Sequence, residues 1–374
     1  MSNNLRNSVP KKAVHIIGDG CAALSLAARA DELSRHQLTI VHPEGAPTAQ
    51  EHIWGFWWTN GLENAVDLAS KKWSSWSIKT LEEKVILSSD VHTYHALYRS
   101  NWENNCIQRA MKLGVNFVNQ LNMTDDPEAQ ILDSRPPNVF NDQMFQYFIG
   151  WEVKVNPSCF NPKCLTLMDF RCDQSRGIHF IYVLPFTSST ALVESTMFSQ
   201  QREPDIFFET AINTYLYSYC GVSDFTVKRV EKGGIPLGHL PQVRGNKRGI
   251  GANGDAIRPA SGYAFAFIQK QVLATIQKSQ NRDKKEKIPS SLIIKSPHKF
   301  VDYWMDEVFI TVLKLNPGVA SKLFLEIAKA LNGTEYAQFL SGEAGWWVRL
   351  KVVMAMPKII FINALLLLLA RRSF

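Results

Sequence analysis

Cysteine is sparse in this sequence, and the few present are scattered. The 374 residues hold six, Cys21, Cys106, Cys159, Cys164, Cys172 and Cys220, with no C-x-x-C pair and no histidine at zinc-finger spacing. That excludes a disulfide scaffold and a structural zinc, and reads as reduced thiols in a cytoplasmic protein. The opening stretch Met1 to Val9 is polar, so no signal peptide is expected. The strongly apolar end, Ile359 to Ala370, is about 12 residues, short of the roughly 20 that span a bilayer. Glycine at 21 and proline at 17 exclude collagen-like and low-complexity sequence. No internal repeat and no nucleic-acid motif is found. The net charge of +7 is modest; its lysines concentrate in one segment, which suits an anionic membrane surface better than nucleic acid. Against these absences, 45% of residues are hydrophobic, enough for a sizeable core. The length exceeds the roughly 250–300 residues at which one core stops growing, so two subdomains are expected.

Ala13 to Ile17 is rich in β-branched residues and reads as a buried strand. Gly18-Asp19-Gly20-Cys21-Ala22-Ala23 follows, then a helix from Leu24 to Ala30 and a second strand from Gln37 to Val41. This is the opening of a doubly wound dinucleotide-binding fold. His92 to Leu113 reads as a helix, Val115 to Val118 as a short strand, and Ile131 to Arg135 as a strand ending in a Pro136-Pro137 turn. Gly150–Val155, His179–Leu184 and Ala191–Glu194 are rich in β-formers and predict an antiparallel sheet. Gly249 to Gly251 returns to the nucleotide domain, Gly262 to Gln277 reads as a long helix, Lys278 to Lys299 as a charged surface linker, and the chain from Val301 onward as helices. The expected organisation is an FAD-binding α/β domain over residues 1–140 together with 230–280, a β-sheet substrate domain over 141–229, and a linker with a helical C-terminal part over 281–374.

Gly18-x-Gly20-x-x-Ala23 is the G-x-G-x-x-G/A fingerprint in its proper setting, after a strand and opening a helix. The first glycine permits the turn and the second lets backbone approach a pyrophosphate. The small third residue lets helix and strand pack, and the helix N-terminus favours the anion. The acidic residue expected at the end of the second strand is absent; His42 stands there, with Glu44 two positions on as the candidate ribose contact. A second element, Gly251-Ala252-Asn253-Gly254-Asp255, lies late in the chain and suggests FAD rather than NAD, with Asp255 bonding the ribityl chain or capping a helix.

With these elements in place the sequence resembles the bacterial-type flavin-dependent lycopene β-cyclases. The resemblance runs from about Ala13 to about Ala364 and rests on segments occurring in order: Gly18–Leu26, His52–Trp57, Gln146–Val153, Met168–Arg171, Tyr182–Phe186, Leu192–Thr196, Gly234–Pro236 and Arg258–Phe265. It implies a redox-neutral cyclisation of the acyclic ends of lycopene to β-ionone rings. In that reaction a proton adds to the terminal alkene, a neighbouring double bond attacks the cation, and loss of a proton leaves the ring. It also implies reduced FAD, with NAD(P)H as the electron donor, and a substrate met at a membrane surface by a peripheral, cytoplasmic enzyme.

Such chemistry needs a carboxyl held neutral by an apolar pocket, aromatic faces for the cation, and exclusion of water. Glu194 fits the acid, because Ala191-Leu192-Val193-Glu194 is an apolar strand where a carboxylate is unexpected. Many members of the family that the chain resembles carry a second carboxylate beside that position; here the neighbour is Ser195. Asp169 and Arg171 alternate on a predicted strand, either as a structural ion pair or with Asp169 near flavin and substrate. Glu152 is placed between buried hydrogen bonding and a site role. Trp54, Phe56 and Trp57, in a run too dense in aromatics to face one core, are expected at the substrate pocket, as is Tyr263. Trp346-Trp347, Leu350-Lys351 and the end Leu365 to Arg372 have the composition of a surface that lies on a membrane. The competing expectations are a flavin monooxygenase or prenyl-chain reductase on the same scaffold, and a non-catalytic flavin-containing carotenoid-binding protein.

Overall fold

The computed structural model describes residues 11–46, 49–120, 127–241, 248–286 and 288–372; Met1 to Val9 and the side chains of Arg371 and Arg372 lie outside them. Its first sheet is parallel throughout. Strand Lys12–Ile17 sits at the centre, flanked by His36–Val41 and then Asn116–Val118 on one side, and by Gln130–Asp133 and then Arg248–Gly249 on the other. Helices cover such a sheet, so its central strands are rich in buried apolar residues. Val14, Ile16, Leu38, Ile40 and Leu132 share one core with Ala22, Ala23 and Leu26 of helix Cys21–Ala27 and with Ile268, Val272 and Ile276 of helix Phe265–Asp283. This is the doubly wound α/β domain expected from the glycine fingerprint.

The second sheet has seven strands, in the order Asp224–Leu237, Met144–Asn156, Thr190–Ser199, Ile178–Pro185, Leu165–Asp169, Ser75–Lys79, Lys84–Ser88. Every pairing is antiparallel except that of Leu165–Asp169 with Ser75–Lys79. Helix Asp205–Cys220 covers one face, where Val193 and Met197 pack with Phe208, Ile212 and Leu216. The other face carries Leu192 and Phe198 against Phe324, Ile327 and Tyr336 of the C-terminal helices. Because side chains alternate along a strand, Glu194 falls on the face of Leu192 and Phe198. Strands from 75–88 and the whole of Asp224–Leu237 thus join a sheet expected from 141–229 alone.

Two other expectations are corrected. The segment 92–113 is not one helix: Tyr94–Tyr98 is a strand between Ile53–Trp57 and Lys71–Trp73 in a three-stranded sheet, and the helix begins at Arg99. Tyr94, His95, Ala96 and Leu97 are all buried, so the strand shows no period-two alternation to set against a helical reading. The supposed linker 278–299 begins inside helix Phe265–Asp283 and is then tied down. Gln130 holds Leu292 by bonds of 2.8 and 2.6 Å to its backbone, and His36 Nε2 bonds the Ser290 carbonyl at 2.8 Å. The C-terminal part comprises helices Phe300–Leu315, Ala320–Ala330, Gly333–Leu340, Trp346–Ala355 and Lys358–Arg372. Two buried ion pairs fasten it, Arg258 with Asp306 and Arg349 with Asp302. Among the described residues no single helix is long and apolar enough to cross a membrane; the last two are bent by 110° at their junction.

Candidate active site

A single cavity of about 1590 Å³ runs from the glycine turn after the central parallel strand, over the seven-stranded sheet, to the C-terminal helices. That exceeds the roughly 300–1,000 Å³ of an ordinary small-ligand site, so it has room for a cofactor and a long substrate end to end.

Its polar end is built on the turn. Gly18 has φ of +99°, which only glycine adopts readily, and a Cβ there would meet the Ser134–Arg135 backbone at 3.1–3.2 Å. Gly20 is different. Its φ of −82° suits any residue, and its missing Cβ would meet nothing within 4 Å. It lines open cavity, so its glycine is explained by room for a ligand rather than by the backbone. These features fit the pyrophosphate of a dinucleotide. Glu44 lines the same end, and His42, in the expected acidic position, bonds Asp19 through Nδ1 at 2.8 Å. Ala23 is fully buried against the sheet core. Gly251, Gly254 and Asp255 do not line the cavity, although Ala252 does. A Cβ on Gly251 would meet that of Ala22 at 2.5 Å, and one on Gly254 the Gly249 carbonyl at 2.6 Å. Those two glycines serve close backbone packing, which places Ala252 at the wall.

The apolar middle is walled by tyrosines. Tyr94 and Tyr182 hydroxyls lie 2.9 Å apart, and Tyr263 stands beside them. Burial pushes all three well above the ordinary tyrosine range, so they stay neutral. Trp54 lines the cavity, stacked on Phe265 at 5.1 Å. Trp57 stands behind the wall, edge-on to Tyr94 at 4.7 Å and Tyr263 at 5.4 Å. Phe56 packs away from the cavity, on His95 and Phe265. Of the three aromatics expected at the pocket, Trp54 alone reaches it, with Tyr263.

Glu194 projects into this region. It is 8% exposed and directly opposite Tyr182 on the next strand. Thr196 donates a 2.5 Å hydrogen bond to its Oε1. Burial, reinforced by the charge of Glu231, raises its pKa to about 8, so at neutral pH it is predominantly the acid. Asp169 and Arg171 do not join it. They form a bidentate pair (2.8 and 2.8 Å) with Lys79 at 3.4 Å, outside the cavity lining. Glu152 also stays outside, bonded to Tyr98 at 3.1 Å and Arg229 at 3.2 Å.

Sequence reasoning missed Glu231. Strand Met144–Asn156 lies between the strands of Glu194 and Glu231, and both glutamates pair with the same residue, Gly150. A Cβ on Gly150 would stand 3.1 Å from Glu231 Cγ and 3.5 Å from Glu194 Cβ. The bare backbone there leaves a notch that both carboxylates border. Glu231 is 2% exposed and lines the cavity. Burial raises its pKa to about 7, against the opposing pull of Arg229 at 2.7 Å and the Ile53 amide at 3.1 Å.

The fold is shared with several solved structures. A geranylgeranyl bacteriochlorophyll reductase-like protein of Thermoplasma acidophilum superposes with a TM-score of 0.60 at 12% identity, covering 95% of this chain and 98% of that one. The flavin-dependent brominase Bmp2 gives 0.57 at 14% (94% and 97%), and 2-methyl-3-hydroxypyridine-5-carboxylic acid oxygenase 0.54 at 14% (90% and 99%). At these identities the likeness is one of fold. No curated protein matches the chain significantly. The sequence profile described as lycopene cyclase protein matches residues 13–364, and the chain belongs to that family of enzymes.

Proposed function

We propose that this protein is a lycopene β-cyclase: it closes the acyclic ends of lycopene into β-ionone rings, without net redox change, with FAD in its reduced form at the glycine turn. The observation that carries the reading is Glu194, a neutral carboxyl in a tyrosine-walled apolar cavity continuous with Gly20. Glu194 gives its proton to the terminal alkene. Tyr94, Tyr182 and Tyr263 turn aromatic surface and neutral hydroxyls toward the cation, and none is a charged nucleophile that would trap it. The dry wall of Leu167, Phe180 and Phe198 excludes the water that would divert it to an alcohol. Gly18, Gly20 and Ala252 would hold the cofactor, and Glu44 its ribose; reduced flavin, when bound, would supply electron density that stabilises positive charge. NAD(P)H is the proposed source of its electrons.

Lycopene is reached from a membrane surface. The far end of the cavity is lined by Val353, Met356, Phe361, Ile362 and Leu365, and Val353 and Ile362 are also exposed. Peripheral attachment of this end would let a hydrocarbon pass from lipid to cavity without crossing water.

Expression in lycopene-accumulating cells, followed by chromatography and mass measurement of the pigments, tests the reading. New pigments of unchanged mass are expected. Products heavier by oxygen or by hydrogen would assign the chain to monooxygenase or reductase chemistry, and unchanged lycopene in the presence of a flavin-loaded protein would leave a binding role.

A further inference from the structure

We infer that Glu231 is the second catalytic carboxylate of this site, the ionised partner of Glu194 that takes up the proton released when the ring closes. The inference rests on the cyclisation reading above and deepens it.

The geometry comes first. Glu194 and Glu231 border one notch over Gly150, from the two strands on either side of it. Both line the cavity. Each has one oxygen engaged within the protein. Thr196 bonds Oε1 of Glu194, while Arg229 and the Ile53 amide both bond Oε2 of Glu231. Among the described residues the other oxygen of each makes no hydrogen bond. A residue with a side chain at position 150 would fill the space between them.

Two neighbouring carboxyls in a dry site do not both ionise, and their surroundings decide which one holds the proton. Glu194 faces Tyr94 and Tyr182, both neutral, and the hydroxyl of Thr196. Among the described residues no cation touches it. Glu231 has the Arg229 guanidinium at 2.7 Å. Arg229 is itself shared with Glu152, to which Tyr98 donates, and burial lowers the pKa of His52, with Arg99 and Arg229 adding to it. The pairing cation therefore falls on Glu231, which becomes the anion, and Glu194 keeps the proton. The raised values, about 8 for Glu194 and about 7 for Glu231, have the same order.

The step balances without an oxidant or reductant. The O–H bond of Glu194 breaks and a C–H bond forms at the terminal alkene carbon. The π pair of the neighbouring alkene forms the ring C–C bond. A C–H bond beside the new cation breaks, its electrons becoming the ring double bond and its proton going to the Glu231 carboxylate. Transfer of that proton across the notch to Glu194 restores the starting state.

The test is the rate of lycopene cyclisation against pH, with the full flavin-loaded chain, for wild type, Glu231→Gln and Arg229→Gln. Flavin content and melting temperature report folding. Glu231→Gln is expected to slow ring formation about 100-fold or more, the scale of a lost general base, and to move the high-pH limb of its remaining rate to lower pH, since Glu194 no longer sits beside an anion. Arg229→Gln is expected to move the low-pH limb to higher pH, because Glu231 loses the cation that favours its ionised form. A wild-type rate in Glu231→Gln, or limbs that stay in place, would overturn the inference. Should Glu231→Gln not fold, the low-pH limb of Arg229→Gln decides alone. If wild type itself leaves lycopene unconverted, it is the cyclisation reading that fails, not the assignment of Glu231 within it.

Discussion

Tyr182 stands directly opposite Glu194 on the adjacent antiparallel strand, and its hydroxyl lies 2.9 Å from that of Tyr94 on another sheet. The acid and the aromatic wall are thus fixed by one strand register. Gly55 completes the arrangement, because a Cβ there would strike the Tyr94 hydroxyl and lie 2.7 Å from that of Tyr182. If these rings serve the cation through their faces, Tyr182→Phe should keep most of the cyclisation rate. Tyr182→Leu should lose about 30-fold, the equivalent of roughly 2 kcal/mol for a desolvated cation–π contact. Gly55→Ala should cost as much by forcing the two tyrosines apart. Steady-state rates of the three variants check this; equal loss in Tyr182→Phe and Tyr182→Leu would move the role to the hydroxyl.

Glu194→Gln is expected to lower cyclisation by about 10²–10⁴-fold, the range for a removed general acid, with flavin binding unchanged. Stability gives a second readout. Folding raises the Glu194 pKa from 4.5 to about 8, so between those values the folded chain holds a proton that the unfolded chain has released. Stability from this group is therefore full below pH 4.5 and falls as pH rises to 8, by on the order of a few kcal/mol. Wild type should lose melting temperature over that window more steeply than Glu194→Gln. Parallel melting curves for the two proteins would contradict the buried acid.

The central features of the fold and the buried carboxyl of Glu194 were legible because each broke a local rule. Gly18-x-Gly20 interrupts a strand–helix junction, and Glu194 interrupts an apolar run. Glu231 broke no such rule. Its strand carries Asp224, Lys228, Arg229 and Lys232, which reads as a solvated edge; its burial follows from the neighbouring Gly150 and the start of strand Ile53–Trp57, both distant in sequence. Tyr94–Tyr98 was misread because a strand buried on both faces loses its alternation. Asp169 and Arg171 were both expected on one strand, which instead ends at Asp169; nothing local indicates that Asp169 faces Lys79.

Gly20 offers a clean separation of fold from cofactor. Its backbone angles suit any residue and its missing side chain points into open cavity. Gly20→Val should therefore fold with a melting temperature near that of the wild-type apoprotein, yet retain less than about a tenth of the flavin, since the branched side chain would occupy the space of the pyrophosphate. Absorbance of the purified protein near the flavin bands is the measurement. Gly18→Val, by contrast, should fail to fold, because its φ of +99° is closed to a branched residue. A flavin-loaded Gly20→Val would dissociate this turn from the cofactor.

The C-terminal helices make the last prediction. Trp346 and Trp347 are 73% and 79% exposed, with Met354 and Ile359 similarly bare, and Lys351 and Lys358 lie among them. An apolar surface rimmed by basic residues, at the mouth of an apolar cavity, has the character of a membrane-lying face. Each large apolar side chain moved from water into lipid contributes roughly 1.5 kcal/mol or more. Trp346→Ser/Trp347→Ser should therefore weaken co-sedimentation with phosphatidylcholine vesicles about 100-fold, leaving the flavin spectrum as it was. Lys351→Gln/Lys358→Gln should leave binding to neutral vesicles intact and weaken binding to vesicles containing anionic lipid, by about 1 kcal/mol per lysine at low salt, an effect that fades as salt rises. If the tryptophan variant binds vesicles as well as wild type, these helices do not face the bilayer, and the substrate must reach Glu194 by another route.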